Sequence, residues 1–392
     1  MLKRYKVRLL PTPEQEAKLW QTVNAFRWTW NWGLAREMEE YQTTGKHISE
    51  YDLRKEFRKV RNEDEWLKGC AANSLCMALF DLSTAYKRFF RVQKQGSEKF
   101  SKKTIEKAKR RGKKLTNYDM IGHPKFKSKN RAQPSFGMQC DTLRFTKKGA
   151  NIPNVGNISY QTNYDIPQGK AKFYNPRVCF TNGKWILSFA MEVERQTFEL
   201  NDYNMGIDLG VTSTAVVSCN GEKTVYKNIN KTMRVKKLNK QLKRAQRQAS
   251  RCEKKSKGQR KAFAKQAKLH TRISNIRHDF RHKMTREIVD RFPQVIVLED
   301  LNVQGMMKNR HLARAIGEQG FYTIRQMLSY KAEERGIAMQ YVDRFFPSSK
   351  RCSCCGMIKR ELKLKDRTYR CDGCGHVLER DFNAARNLEL SV

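Results

Sequence analysis

Met205-Gly206-Ile207-Asp208-Leu209-Gly210-Val211-Thr212-Ser213-Thr214-Ala215-Val216-Val217-Ser218 is the stretch on which the fold turns. It reads as two short strands. Ile207, Leu209 and Val211 are apolar at alternate positions, and Ala215, Val216 and Val217 form a second apolar run. Asp208 sits between apolar neighbours of the first strand. A carboxylate there carries a desolvation cost unless a cation meets it, and a metal ion is the obvious candidate. The plain alternative is a solvated Asp on the strand's polar face.

Two further carboxylates stand in similar places. Pro293-Gln294-Val295-Ile296-Val297-Leu298-Glu299-Asp300 is a continuous apolar run ending in acid. Such a run reads as a strand buried on both faces. Its acids emerge at the C-terminal end, where sheet-based sites tend to lie. A helix over 319–335 and a strand over 338–342 follow. The third acid, Asp381, lies in Glu379-Arg380-Asp381-Phe382-Asn383-Ala384-Ala385-Arg386-Asn387-Leu388, where a helix would start. Asp381 reads either as that helix's N-cap or as a partner of Asp208 and Glu299.

An Asp inside a first strand, a Glu ending a later parallel strand and an Asp at a last helix would converge in an RNase H-like layered sheet. Mg²⁺ takes oxygen ligands, and two such ions about 4 Å apart can drive phosphodiester hydrolysis. A Ser-His nucleophile motif, a Walker phosphate loop and a dinucleotide-binding glycine motif are absent.

The charge points to the same chemistry. Lys and Arg number 80 and Asp and Glu 39 in 392 residues, a net charge of +41. Such an excess repels itself unless a polyanion neutralises it, and nucleic acid is the likeliest polyanion. From 231 to 282 the only acids are Glu253 and Asp279. That stretch reads as a helical pair with sparse apolar positions (Met233, Val235, Leu238, Leu242) and a phosphate-facing surface. Lys236, Lys237, Lys240, Lys243, Arg244, Arg247 and Arg251 are its candidate contacts. No apolar run approaches the roughly 20 residues of a spanning helix, so a soluble intracellular protein without a membrane partner is expected.

Toward the N-terminus, residues 6–10 read as a strand. Thr12, Pro13 and Gln15 read as a capping box opening a helix through Leu34. Trp20, Trp28, Trp30 and Trp32 have helical spacing, which favours core packing over base stacking for most of them. Helices over 51–60 and from near Asn73 complete a small bundle, the last with Leu75, Leu79, Leu82, Tyr86 and Phe89 on one face. From 99 to 131 the apolar pattern fails, and a solvated loop or a segment ordering on phosphate is expected. Short strands follow over 142–146, 158–160 and 171–174. A hairpin pairs 177–181 with 184–189 through Asn182-Gly183, a type I′ turn signal. These strands suggest a small antiparallel barrel or sandwich that the 6–10 strand could join, with the bundle as an insertion.

Eleven cysteines are present, five of them between Cys352 and Cys374. Cys352-Ser353-Cys354-Cys355-Gly356 and Cys371-Asp372-Gly373-Cys374-Gly375 are two CxxC knuckles. Cys352, Cys355, Cys371 and Cys374 can offer four thiolates to one structural Zn²⁺, a closed shell that leaves no catalytic position. Cys354 is the spare thiol and His376 a bystander.

At this point the chain resembles the TnpB family, compact RNA-guided endonucleases of bacterial insertion sequences that are kin to type V CRISPR effectors. The resemblance spans nearly the whole chain. It rests on Tyr5-Lys6-Val7-Arg8-Leu9-Leu10-Pro11-Thr12-Pro13-Glu14-Gln15, Gly206-Ile207-Asp208-Leu209-Gly210, Leu298-Glu299-Asp300-Leu301, Pro347-Ser348-Ser349 and Arg380-Asp381-Phe382-Asn383-Ala384-Ala385, in that order. It implies a multidomain α+β protein. A wedge β-barrel (1–12 and 133–200) would carry a helical recognition bundle with a basic loop (13–132). A RuvC nuclease domain (201–349 and 377–392) would hold a basic helical insertion at about 231–290, with a zinc ribbon at 350–376. Asp208, Glu299 and Asp381 would ligate two Mg²⁺ ions. An omega-type guide RNA and double-stranded target DNA would be the partners of a monomeric ribonucleoprotein in the cytoplasm, associated with the nucleoid. The target would lie next to a short duplex motif. Cys76-Met77 before Ala78-Leu79 departs from the Gln residues the family often has there, and Glu379 replaces its usual Asp. The rival expectations are a catalytically silent RNA-guided regulator and an unguided resolvase-like nuclease.

Overall fold

The structure, a computed structural model, describes residues 2–96, 98–167, 171–194, 197–363 and 366–392. It is mixed α/β and divides into two compact units, Met1–Glu194 and Arg195–Val392. Among the described residues no helix is long and apolar enough to cross a membrane.

The first unit opens with strand β1 (Leu2–Leu10), followed by α1 (Pro13–Thr44), α2 (Glu50–Glu63), α3 (Glu65–Lys68), α4 (Ala72–Lys94) and α5 (Lys102–Arg110). Six strands follow: β2 (Ser135–Gly137), β3 (Arg144–Thr146), β4 (Gly149–Ile152), β5 (Gly156–Gln161), β6 (Tyr174–Thr181) and β7 (Lys184–Glu192). They form one sheet with β1, in the order β2-β6-β7-β1-β5-β4-β3. β1 runs antiparallel to both β5 and β7. The Asn182-Gly183 turn between β6 and β7 has positive φ at both residues, as a type I′ turn requires.

The Thr12–Gln15 capping box forms with Pro13 in the first turn, and α1 then runs ten residues past Leu34. Leu75, Leu79, Leu82, Tyr86 and Phe89 of α4 are all buried. Of the tryptophans, Trp30 is buried, Trp20 and Trp32 pack against the core, and Trp28 is exposed.

The 99–131 segment differs from the loop that its sequence suggests. It contains α5 and buries His123. Trp30 Nε1 donates to the Lys125 carbonyl (3.1 Å), and Asn31 exchanges two hydrogen bonds with the Lys127 backbone (2.8 and 3.0 Å). Those anchors lie about a hundred residues upstream, so no local periodicity announces them. The expected strands over 142–146 and 171–174 shrink, since β3 starts at Arg144 and only Tyr174 of the latter joins a strand.

The second unit contains β8 (Asn201–Asp208), β9 (Ser213–Cys219), β10 (Glu222–Lys227), α6 (Met233–Arg251), α7 (Lys257–Val289) and β11 (Pro293–Glu299). It continues with α8 (Val303–Met306), α9 (Ala313–Gln319), α10 (Phe321–Arg335), β12 (Ala338–Val342), β13 (Thr368–Arg370), β14 (Val377–Glu379) and α11 (Arg380–Glu389). Five strands make a sheet ordered β10-β9-β8-β11-β12. β8, β9 and β10 are antiparallel neighbours, whereas β11 runs parallel to both β8 and β12. Leu209 and Val211, read as strand residues, lie beyond the end of β8. The helix expected over 319–335 is interrupted at Gly320, which separates α9 from α10.

The two faces of this sheet follow the period of two in its strands. Met205, Ile207, Ala215, Val217, Ile296 and Leu298 pack with Met284 and Ile288 of α7 and Ile324 and Leu328 of α10. The alternate residues face α11: Val216 meets Phe382 and Ala385, and Val297 meets Leu388. α6 and α7 share Val235, Leu238, Leu242 and Ile273, but Met233 is 67% exposed, unlike its sequence reading.

Candidate catalytic centre and cysteine site

The register of two parallel strands sets the first two acids side by side. Ile207 of β8 is opposite Leu298 of β11, and Asp208 and Glu299 are the next residue of each strand. Both therefore fall on the face of Gly206 and Val297, the face that α11 covers. The helix comes very close there. A Cβ on Gly206 would stand 2.0 Å from the Ala385 carbonyl oxygen and 2.3 Å from the Glu389 nitrogen. Glycine is what lets α11 rest its backbone on β8.

Asp381 occupies the first turn of α11, and Glu379 rather than Asp381 holds the N-cap position. The carboxylate of Asp381 acts electrostatically on Asp208. Solvent still reaches Asp208, but protein crowds around it. Its pKa is pushed up to about 8, chiefly by burial, then by the negative charges of Glu299 and Asp381, with Arg380 partly offsetting them. Three carboxylates from β8, β11 and α11 are thus electrostatic neighbours with too little positive charge among them. That is the donor chemistry a hard divalent cation satisfies.

Further residues hold the acids. The Ser348 hydroxyl donates to Glu299 Oε1. The segment carrying Ser348 is tied to α11: Asn387 Nδ2 donates to the carbonyls of Ser348 and Arg351 (2.7 Å each), and Asn383 Nδ2 donates to Arg351 O (2.7 Å). Asn383 and Asn387 are buried, one turn apart on the helix. At its other end α11 is fixed by Glu389, which accepts from the Ser218 hydroxyl and from Gly221 N (3.1 Å). The sequence reading missed these anchors. Polar side chains at i and i+4 on an otherwise apolar helix face were the available signal. Asp300 is paired with Arg325 (2.9 Å) and Arg344 (3.1 Å).

The cysteines are more tightly gathered. The sulfurs of Cys352, Cys355, Cys371 and Cys374 all lie within 4.8 Å of one another, alone among the described residues as a group of three or more metal-type ligands. Asp208, Glu299 and Asp381 are not gathered into such a group. Cys352 and Cys374 sulfurs are 3.7 Å apart, and those of Cys355 and Cys371 3.5 Å. Four Zn–S bonds of about 2.3 Å imply an edge near 3.8 Å, so the set fits tetrahedral Zn²⁺. The knuckles are built alike: Cys352 N donates to Met357 O and Cys371 N to His376 O, each at 2.8 Å. Backbone N–H groups of Cys374 and Gly373 hold the Cys371 thiol below its usual range. Cys354 is exposed and outside the group. The strand pair β13–β14 follows, and β14 leads directly into α11.

Lys236, Lys237, Lys240, Lys243, Arg244, Arg247 and Arg251 are all exposed on α6. Lys243 also lines a groove of about 610 Å³ with Arg277, Arg281, Arg314 and Glu318.

Family models match three parts of the chain: "Probable transposase" (OrfB_IS605) over 188–310, "Cas12f1-like, TNB domain" over 321–388, and "Helix-turn-helix domain" over 1–46. In the last of these the structure has a strand and one long helix. A solved structure entitled "Structure of the mini-RNA-guided endonuclease CRISPR-Cas_phi3" is 11% identical with a TM-score of 0.47, covering 99% of this chain and 92% of that one. A protein of Streptomyces pristinaespiralis named "Putative RNA-guided DNA endonuclease" is 29% identical over 98% of this chain and 88% of its own length. "Putative RNA-guided DNA endonuclease InsQ" of Escherichia coli (strain K12) is 30% identical over 99% of this chain and 91% of its own length. With likeness of that extent from end to end, the chain belongs to the TnpB family.

Proposed function

We propose that this protein is an RNA-guided DNA endonuclease, associated with a transposon, that hydrolyses phosphodiester bonds of target DNA. The observation that carries the reading is that Asp208 and Glu299 end neighbouring parallel strands in register and that the charges of Glu299 and Asp381 both act on Asp208. The names of the full-length relatives support it, and so does the net charge of +41.

In this reading the five-stranded sheet is the RNase H-like core of a RuvC domain (201–349 and 377–392), and the acids hold two Mg²⁺ ions. When bound, such ions activate a water and stabilise the leaving oxygen. The chain's own part is placement. Ser348 engages one oxygen of Glu299 and leaves Oε2 as the oxygen available to a ligand. Asn383 and Asn387 fix the helix that carries Asp381. The crowding of negative charge makes cation binding favourable where the scissile phosphate must come.

The remaining parts follow. The seven-stranded sheet is the wedge (1–12 and 133–200), the helices of 13–132 are the recognition bundle, and 350–376 is a structural zinc ribbon. The basic face of α6 holds guide RNA or DNA, and the particle is a monomeric ribonucleoprotein on the nucleoid. The test is to purify the protein with its co-purifying RNA, sequence that RNA, and incubate with matching duplex and Mg²⁺. Cutting is expected, and Asp208→Ala abolishes it while binding persists. A stable complex with no products from the unmodified protein would favour a silent regulator. Cutting of branched DNA by RNA-free protein would favour an unguided nuclease.

A further inference from the structure

Among the described residues the most exposed large apolar side chain is Phe345, at 87%. Its neighbour Phe346 packs with Val297, Val342 and Leu388 in the sheet core. The turn between them is well fixed. Phe345 N donates to Asp343 Oδ1 (2.8 Å), Phe346 N to Asp343 O (3.0 Å), and Ser348 N to Phe346 O (2.8 Å). Arg344 is bonded to Asp300. Three residues beyond Phe345, the Ser348 hydroxyl holds Glu299. A rigid turn therefore presents a bare aromatic ring on the same segment that orients a candidate catalytic acid.

The surroundings suit a nucleic-acid strand. A cleft of about 250 Å³ is lined by Glu299, Tyr322, Arg325 and Arg344. Tyr322 is a second exposed ring, at 64%. Arg325 and Arg344 share the single carboxylate of Asp300, so two guanidinium groups stand in the cleft wall beside the exposed rings. Exposed aromatic faces beside cationic side chains make a platform on which unpaired bases stack.

We propose that Phe345 is a substrate-positioning residue whose ring stacks on one base of the single DNA strand led to Asp208, Glu299 and Asp381. The inference rests on the nuclease reading for the identity of the strand. A base next to the bond being cut loses its duplex neighbour, and the Phe345 ring supplies a replacement. The strand is thereby held in register with the acids.

The test uses the purified ribonucleoprotein and target strands carrying one 2-aminopurine at successive positions, with Mg²⁺ omitted so that they stay intact. Stacking should quench the probe at one position, and Phe345→Ala should abolish that quench alone. With Mg²⁺ restored, Phe345→Ala should raise KM roughly tenfold, within the range that one base–aromatic contact supplies, with kcat little changed. Phe345→Trp should restore both readouts, and Phe345→Leu neither. An abasic nucleotide at the quenched position should cost the unmodified protein as much as the Ala variant loses, with no added loss in the variant. Cutting with no Phe345-dependent quench would overturn stacking and leave the nuclease reading standing. A position-specific quench without cutting would do the reverse. A change in particle mass on Phe345→Ala, with quenching intact, would assign the ring to a protein contact instead.

Discussion

The close approach of α11 to β8 gives the sharpest prediction. Gly206→Ala adds one methyl group whose carbon would lie 2.0 Å from the Ala385 carbonyl oxygen, 2.3 Å from the Glu389 nitrogen and 2.9 Å from Leu388 Cβ. Two of those atoms are backbone and cannot swing aside. Real contacts of this kind start near 3.0 Å, so the helix must move by about 1 Å. That shift loosens Phe382, Ala385 and Leu388 against the sheet and pulls on the bonds of Asn383 and Asn387. Overpacking of this severity costs about 3 kcal/mol, which in a unit of this size lowers Tm by about 6–12 °C. The same shift displaces Asp381, and a 1 Å misplacement costs about a hundredfold in rate. Urea and thermal unfolding measure the first effect and cleavage the second. Gly258→Ala is the control, because its Cβ would find nothing nearer than Cys252 Sγ at 3.7 Å. If Gly206→Ala unfolds within 0.5 kcal/mol of the unmodified protein, a margin typical of an unconstrained surface change, α11 does not rest on β8 and the site's construction is wrong.

Two more predictions concern the charged and sulfur clusters. Asp208 has its pKa raised to about 8 from an ordinary 3.8, so below about pH 4 it is protonated both folded and unfolded and costs nothing. As pH climbs the unfolded chain releases that proton first, so metal-free protein should lose up to a few kcal/mol of stability between about pH 4 and about 8. Asp208→Asn should flatten that slope, and Mg²⁺ should stabilise the unmodified protein but not the variant; parallel urea midpoints would refute the assignment. The cysteine group should hold one zinc per chain by elemental analysis, lost in Cys352→Ser and kept in Cys354→Ser, and a chelator should lower the melting temperature of the unmodified protein and of Cys354→Ser alike while leaving that of Cys352→Ser unchanged.

The parts of the molecule legible in the sequence are those specified by neighbours along the chain. The β8 and β9 strands, the β6–β7 hairpin, the Thr12 cap and the cysteine knuckles each rest on residues within a few positions of one another. Asp208 stands out as an acid set between apolar neighbours of a strand, and Glu299 as an acid ending a continuous apolar run. The rest depends on atoms that meet only after folding. Leu209 and Val211 continue the alternation of β8, yet pairing with β11 ends at its C-terminus. Nothing near 99–131 tells that Trp30 and Asn31 take up its carbonyls and amides. Gly206 reads as an ordinary strand glycine until α11 is laid over it. The hold of Ser348 on Glu299, and of Asn387 on Ser348, spans tens of residues with no periodic trace.

The order in which the acids occur along the chain has a consequence for synthesis. On a ribosome the sheet that bears positions 208 and 299 can emerge and pair long before position 381 exists. Any product halted upstream of α11 would own a sheet with an uncovered apolar face and two acids, but no third. On the nuclease reading, cutting power would thus arrive last, after the elements proposed to hold guide and target have already been translated, and prematurely stopped chains would be unable to nick the genome that encodes them.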